Sequence, residues 1–186
     1  MVSQVIVLGG TAGTGKTSIA EVLVDDMKKR KEYEGVEYIE GDSLHPQANI
    51  EKMAHGHPLT DEDRWDWLKK VSLTSSESAS KHKGLCIVTC SSLKKKYRDL
   101  IRETSPGTVF YFVILYGSME LIAERLVERK GHYMKVDMLQ SQFDDLELPK
   151  DDEPNCHIQY LDNKDFRKIN EETLEAVVSM LHKDSN

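Results

Sequence analysis

The sequence predicts an α/β fold, a mostly parallel, doubly wound sheet with helices on both of its faces. Three observations predict it. Apolar runs alternate with amphipathic stretches along the chain, the pattern of right-handed βαβ units. The runs at 85–89 and 108–115 lack polar alternation, as strands covered on both faces do. A glycine-rich turn separates the first apolar run from the first amphipathic stretch, so the chain opens as strand, loop, helix.

Taken in order, residues 2–8 form the first strand, and Ile19, Ala20, Leu23, Val24 and Met27 recur at helical spacing behind the turn. The charged stretch 28–34 ends that helix, and 36–39 is a short second strand closing on Glu40, Gly41 and Asp42. The His-, Pro- and Asn-rich segment after it reads as a loop. Thr60 and Asp63 have the spacing of a capping box ahead of Trp65, Leu68, Val71 and Leu73, so a helix is expected to begin near Asp61. Strands at 85–89 and 108–115 flank a basic helix at 93–103. A further helix at 119–130 carries Leu121, Ile122, Leu126 and Val127 on its inner face. The acidic segment 144–155, with Pro149 and Pro154, reads as a solvated loop, 158–161 as a fifth strand, and 171–182 as a closing amphipathic helix.

With 186 residues, 39% of them hydrophobic, the chain fits a single domain over 1–186. A net charge of -7 argues against a sequence-independent grip on nucleic acid, which needs clustered Lys and Arg. No basic leader precedes the first strand, and no apolar stretch approaches a membrane span in length. The expectation is a cytoplasmic protein without membrane or nucleic-acid partners. Cys86, Cys90 and Cys156 cannot all pair and read as reduced thiols.

Residues 10–17, Gly10-Thr11-Ala12-Gly13-Thr14-Gly15-Lys16-Thr17, satisfy G-x-x-x-x-G-K-[ST] between a strand and a helix, the context in which this pattern is a P-loop. The fold class is thereby narrowed to a three-layer P-loop fold that binds a nucleoside triphosphate, a class that also includes GTPase switches and motor ATPases. Backbone N–H groups of the loop and the positive end of the helix that follows, from Lys16 through Thr17 and Ser18, face the phosphates. Lys16 is expected to reach the β- and γ-phosphates and the Thr17 hydroxyl to ligate Mg²⁺. No Asp stands three residues before any glycine, and Asn163-Lys164-Asp165 lacks the guanine-reading N-K-x-D spacing. A switch GTPase is therefore not expected.

Asp42 follows the second strand at its carboxyl end, the edge where open α/β sheets gather ligands. It is a candidate to accept a substrate hydroxyl's proton or to help hold Mg²⁺, with an Asx-turn or helix cap as the plain alternative. The third strand ends at Thr89 and Cys90 without a Walker-B acid, so Asp42 is the strongest acidic candidate near the phosphates. Arg125 and Arg129 stand four apart, on one helix face, or pair with Glu124, Glu128 and the acidic loop. His45, His55 and His57 fit no common zinc spacing.

Beyond the P-loop, the chain carries Gly41-Asp42-Ser43-Leu44-His45-Pro46, then Asn49-Ile50-Glu51-Lys52-Met53, and Pro58-Leu59-Thr60-Asp61-Glu62-Asp63-Arg64 with Trp67-Leu68. It continues with Cys90-Ser91-Ser92-Leu93-Lys94-Lys95-Lys96-Tyr97-Arg98-Asp99-Leu100, and with Arg125-Leu126 followed by Arg129-Lys130-Gly131-His132-Tyr133. Through these segments the chain resembles the gluconate kinase family, kin in fold to shikimate and adenylate kinases. The resemblance implies ATP- and Mg²⁺-dependent phosphorylation of D-gluconate to 6-phospho-D-gluconate. It also implies a small helical lid at about 125–150 whose Arg125 and Arg129 reach the transferring phosphoryl group, and it makes a homodimer plausible. A sugar acid presents a carboxylate, which calls for a guanidinium, and hydroxyls, which call for short polar side chains. Arg98 is the favoured guanidinium, Arg64 the next, and Arg102 a third candidate; a solvated helix face is the alternative for Arg98 and for Arg64. Ser91 and Ser92 are candidates for the hydroxyls, and His45 either meets the acceptor or caps its loop. A kinase for another small acceptor, such as shikimate or a nucleoside monophosphate, is the rival reading, and a nucleotide-binding regulator without catalysis is a third. Adenine is expected near 154–164.

Overall fold

The computed structural model describes residues 2–82, 84–128 and 136–183. In chain order these hold β1 (Ser3–Gly9), α1 (Lys16–Lys28), β2 (Glu37–Glu40), a 3₁₀ turn (Gly41–Leu44), α2 (Gln47–Ala54), α3 (Asp61–Lys81) and β3 (Leu85–Thr89). They continue with α4 (Lys95–Thr104), β4 (Thr108–Tyr116), α5 (Met119–Glu128), α6 (Val136–Asp145), β5 (Cys156–Tyr160) and α7 (Phe166–Lys183). The strands form one parallel sheet in the order β2-β3-β1-β4-β5, the doubly wound arrangement the alternation predicts. β1 lies at its centre, in register with β3 from Gln4 opposite Leu85 to Leu8 opposite Thr89. On the other side it pairs with β4 from Ser3 opposite Thr108 to Gly9 opposite Ile114. The chain leaves β1 toward one half of the sheet and later returns to fill the other, so a ligand crevice opens at the carboxyl end of β1.

Successive side chains of β1 point to opposite faces. Val5 and Val7 pack with Trp67, Leu68, Val71, Tyr97 and Ile101 from α3 and α4. Ile6 and Leu8 pack with Ile19, Leu23, Val177 and Leu181 from α1 and α7. Both faces are therefore dry, which is why the central strands carry no polar alternation. Thr60 caps α3 as expected: its hydroxyl accepts from the Asp63 N–H while the Asp63 carboxylate accepts from the Thr60 N–H.

The structure differs from the sequence expectation in four places. Residues 47–54 are a helix, not a loop; α2 buries only Asn49 and leaves Ile50 43% exposed, so no apolar stripe announces it. Helix α6 occupies a segment for which the residue pattern predicts no element and the resemblance implies only a helical lid. Helix α7 begins at Phe166, five residues early, because its first turn buries only Ile169. The acidic segment is not solvated throughout: Glu153 is 6% exposed and is held by arginines.

Two glycines mark where the backbones crowd. A Cβ on Gly41 would stand 1.8 Å from the Thr89 carbonyl oxygen of β3, and one on Gly10 would stand 2.5 Å from the Leu115 carbonyl oxygen of β4. Only residues without a side chain let the two functional loops press this closely on the sheet.

Candidate active site

The P-loop spans the carboxyl end of β1 and the start of α1. Gly10, Gly13 and Gly15 all have positive φ, which turns the loop's N–H groups inward as a nest for anions. Lys16 Nζ donates to the Gly10 and Thr11 carbonyls at 2.9 Å each, so the ammonium is held at the mouth of the cradle. Thr14 Oγ1 donates to the Thr11 carbonyl and braces the same curve. Thr17 is exposed on the first turn of α1, with Ser18 beside it. Its hydroxyl donates toward the Glu40 carboxylate, 3.1 and 3.2 Å from its two oxygens.

Glu40 is a residue the sequence reading passed over. It ends β2, which pairs with β3, and its carboxylate also accepts from the Tyr38 hydroxyl. Burial and that bond push the Tyr38 phenol up to about 12. A hydroxyl and a carboxylate facing each other beside the phosphate cradle are hard oxygen donors suited to Mg²⁺.

Next to the P-loop lies a cavity of about 350 Å³ lined by Lys16, Asp42, His45, Arg64, Trp67, Ser91 and Gln142, among others. Its size suits a small polar metabolite. A larger hollow of about 600 Å³ between β5 and α7 includes no P-loop residue and is not a phosphoryl-transfer site.

Asp42 comes to this cavity on the 3₁₀ turn after β2, its side chain 72% exposed. The turn is pinned from beneath, where Trp67 Nε1 donates to the Gly41 carbonyl at 2.9 Å. His45 stacks on the Trp67 ring, with centroids 3.9 Å apart. Burial lowers the His45 pKa, with Arg64 acting in the same direction and Asp42 against it.

Arg64 is mostly buried on the first turns of α3. Its Nη1 donates to the Tyr97 hydroxyl at 2.6 Å and to Asp145 Oδ2 at 3.2 Å. The Tyr97 hydroxyl in turn donates to Asp61, and burial together with that carboxylate pushes its pKa up to about 12. Bonds from Lys96 and Tyr97 hold Asp61 far below the usual carboxylate range. One nitrogen of the Arg64 guanidinium is thereby fixed, and the residue lines the cavity.

The structure does not bring Arg98 to the cavity. It is fully buried, and all five of its N–H donors are engaged: Nε and Nη2 with Glu153, Nη1 with the Ser92 and Leu93 carbonyls, and Nη2 also with the Glu147 carbonyl. Nothing is left to meet a substrate, which corrects the preference for Arg98 over Arg64. Arg102 is likewise spent on Asp99 and Glu153. Ser92 is also turned away, its hydroxyl donating to the Cys90 carbonyl inside the fold. Ser91 stays on the cavity wall, and its carbonyl accepts from the Gly10 N–H at 2.9 Å.

Arg125 lies beside the P-loop, with Nη1 at 3.5 Å from the Thr14 carbonyl. Arg129 lies outside the described residues. Helix α6, which no residue pattern announces, reaches the site twice. Gln142 Oε1 accepts from the Ala12 N–H at 2.7 Å, and Asp145 joins Arg64 to Lys94. Neither residue carries a motif, and their approach to the P-loop and α3 is a tertiary fact.

Residues 2–146 match the family model described as adenylylsulphate kinase. The chain is 54% identical over 178 residues to a "Probable gluconokinase" of Saccharomyces cerevisiae, covering 95% of this chain and 91% of the relative. It is 39% identical over 180 residues to the "Thermosensitive gluconokinase" of Escherichia coli, covering 97% and 90%. A solved structure of a gluconokinase from Sinorhizobium meliloti superposes with a TM-score of 0.81 at 36% identity, over 100% of this chain and 99% of that one. Similarity of this depth over nearly the whole chain shows that it belongs to the gluconokinase family, within the P-loop kinases that the adenylylsulphate kinase model describes.

Proposed function

We propose that the protein transfers the γ-phosphoryl group of ATP to D-gluconate, giving 6-phospho-D-gluconate and ADP. The observation that carries this reading is one cavity walled by the P-loop lysine, an exposed carboxylate and a pre-oriented guanidinium. The acceptor carboxylate pairs with Arg64, whose fixed nitrogen limits the rotamer entropy lost on binding. Asp42 takes the proton of the terminal hydroxyl as that oxygen attacks the γ-phosphorus and the bond to the departing ADP oxygen breaks. Lys16 and the P-loop N–H groups hold the phosphates, and Arg125 stands where it reaches charge on the nucleotide. Thr17 and Glu40 fit Mg²⁺, which neutralises charge developing on the phosphates when bound. In this reading, closure of the lid, with Arg129, excludes water that would otherwise hydrolyse ATP. Among the described residues no helix is long and apolar enough to cross a membrane, and the same reading puts the enzyme in the cytoplasm.

The deciding experiment is ADP release by the purified protein with Mg²⁺-ATP and gluconate, shikimate, AMP, adenylyl sulfate or no acceptor. Turnover with gluconate alone is expected; preference for any other acceptor overturns the assignment. Two variants sharpen it. Arg64→Lys keeps the charge and loses the planar fork, so KM for gluconate is expected to rise roughly tenfold to a hundredfold with KM for ATP unchanged. Glu40→Gln is expected to raise the Mg²⁺ concentration for half-maximal rate roughly tenfold, as removal of one charged ligand does. An unchanged Mg²⁺ titration would show that Glu40 only buttresses Thr17.

A further inference from the structure

We infer that Asn49 is a positioning residue that sets the tautomer of His45, so that the ring presents an Nε2–H donor to the acceptor cavity. The inference rests on the gluconate reading for what that donor meets, and on the geometry of three side chains for the rest.

Asn49 stands in the first turn of α2 and is 5% exposed, the one buried residue of that helix. Its amide nitrogen lies 2.8 Å from the Asp63 carbonyl oxygen and 3.2 Å from His45 Nδ1. A backbone carbonyl can only accept, so the atom facing it must be the NH₂ and not the amide oxygen. The NH₂ has two protons: one goes to Asp63, and the other points at His45 Nδ1. A ring nitrogen that accepts a hydrogen bond carries no proton, so the neutral imidazole bears its hydrogen on Nε2.

The ring has little freedom to escape this arrangement. It lies against Trp67 at an interplanar angle of 17°, and the Trp67 indole is itself tied to Gly41. His45 Nε2 is 4.0 Å from Asp42 Oδ1, beyond hydrogen-bond reach. Both residues line the cavity, so an acceptor oxygen can take the Nε2–H while its own proton faces Asp42. Asn49 thus links the start of α2 to the start of α3 and, through His45, orients the substrate hydroxyl toward its base.

The test has a spectroscopic arm and a kinetic arm. Long-range ¹H–¹⁵N correlation of the intact ¹⁵N-labelled protein at neutral pH, with His45 assigned by loss of its signals in His45→Gln, reads the tautomer without substrate. The expected pattern has a bare Nδ1 and a protonated Nε2; a protonated Nδ1 in the wild type overturns the inference whatever the variants do. Asn49→Asp places an acceptor opposite Nδ1 and is expected to protonate it. Asn49→Leu removes the donor and is expected to leave the tautomers mixed. Both should lower kcat/KM for gluconate roughly tenfold to a hundredfold while KM for ATP stays constant. In the His45→Gln background, whose amide N–H needs no tautomer, Asn49→Leu should cost less than about threefold, which a merely structural role for Asn49 would not produce. A changed tautomer with unchanged kinetics overturns the role. Wild-type protein with the expected tautomer but no gluconate turnover would instead overturn the substrate assignment and leave the action of Asn49 on the ring standing.

Discussion

Asp42→Asn is expected to lower kcat with gluconate by at least about a hundredfold, the lower end of what a positioned general base contributes, while the protein folds normally. Its side chain is 72% exposed and its recorded partner is His45 at 4.0 Å, so little of the fold depends on it. The Gly41 carbonyl and Trp67, which hold the turn in place, are untouched by the substitution. The amide keeps the shape and removes the proton acceptor. KM for ATP should stay within about twofold, because in the proposed reading the P-loop and Lys16, not Asp42, hold the nucleotide. Steady-state kinetics with both substrates varied, beside a thermal melt, checks this. A variant that keeps most of its kcat would move the base elsewhere, and Glu40, on the other side of Gly41, would be the next carboxylate to substitute.

The largest expected effect on stability lies at Arg98. Replacing it with Met leaves Glu153 buried with half its partners gone and takes the guanidinium donors from the Ser92 and Glu147 carbonyls, while the Leu93 carbonyl keeps the Glu147 N–H. Removing one member of a buried pair typically costs about 3–5 kcal/mol, which for a chain of this size lowers Tm by roughly 10 °C. The pair also makes the fold acid-sensitive in a defined window. Burial alone would raise the Glu153 pKa, but bonds from Arg98 and Arg102 overcome it and hold the group at about 2, against an ordinary value of 4.5. A depressed folded pKa means stability that is fully present above the unfolded pKa and disappears as pH falls toward the folded one. This contribution should therefore be lost between about pH 5 and pH 2. Urea unfolding of the wild type and of Glu153→Gln across that range checks it: the variant should start less stable and show a flatter decline. Equal slopes would assign the acid sensitivity to other carboxylates.

The same arginine shows where sequence reasoning stops. Arg64 and Arg98 both sit on helices that follow polar loops, and their local patterns do not separate them. What separates them is Glu153, 55 residues downstream of Arg98, which folds back to consume that guanidinium. Arg64 instead meets Tyr97 and Asp145 through one nitrogen and lines the cavity. Glu40 and Gln142 were missed for the same reason, since a carboxylate at the end of an edge strand and a glutamine on a short helix have no signature of their own.

By itself the sequence determined the α/β class, the P-loop and its lysine, the capping box of α3, the position of Asp42 and the family resemblance. All of these are encoded by neighbours within a few residues, where dihedral preferences, side-chain period and glycine placement act directly. Tertiary structure alone decided that Arg98 is consumed by Glu153 while Arg64 lines the cavity, that Glu40 faces Thr17, that α2 is a helix, and that Asn49 sits against His45. Those outcomes depend on strand order and on which hydrogen-bond donors remain once every buried partner has been satisfied. Both follow from contacts between residues far apart in the chain.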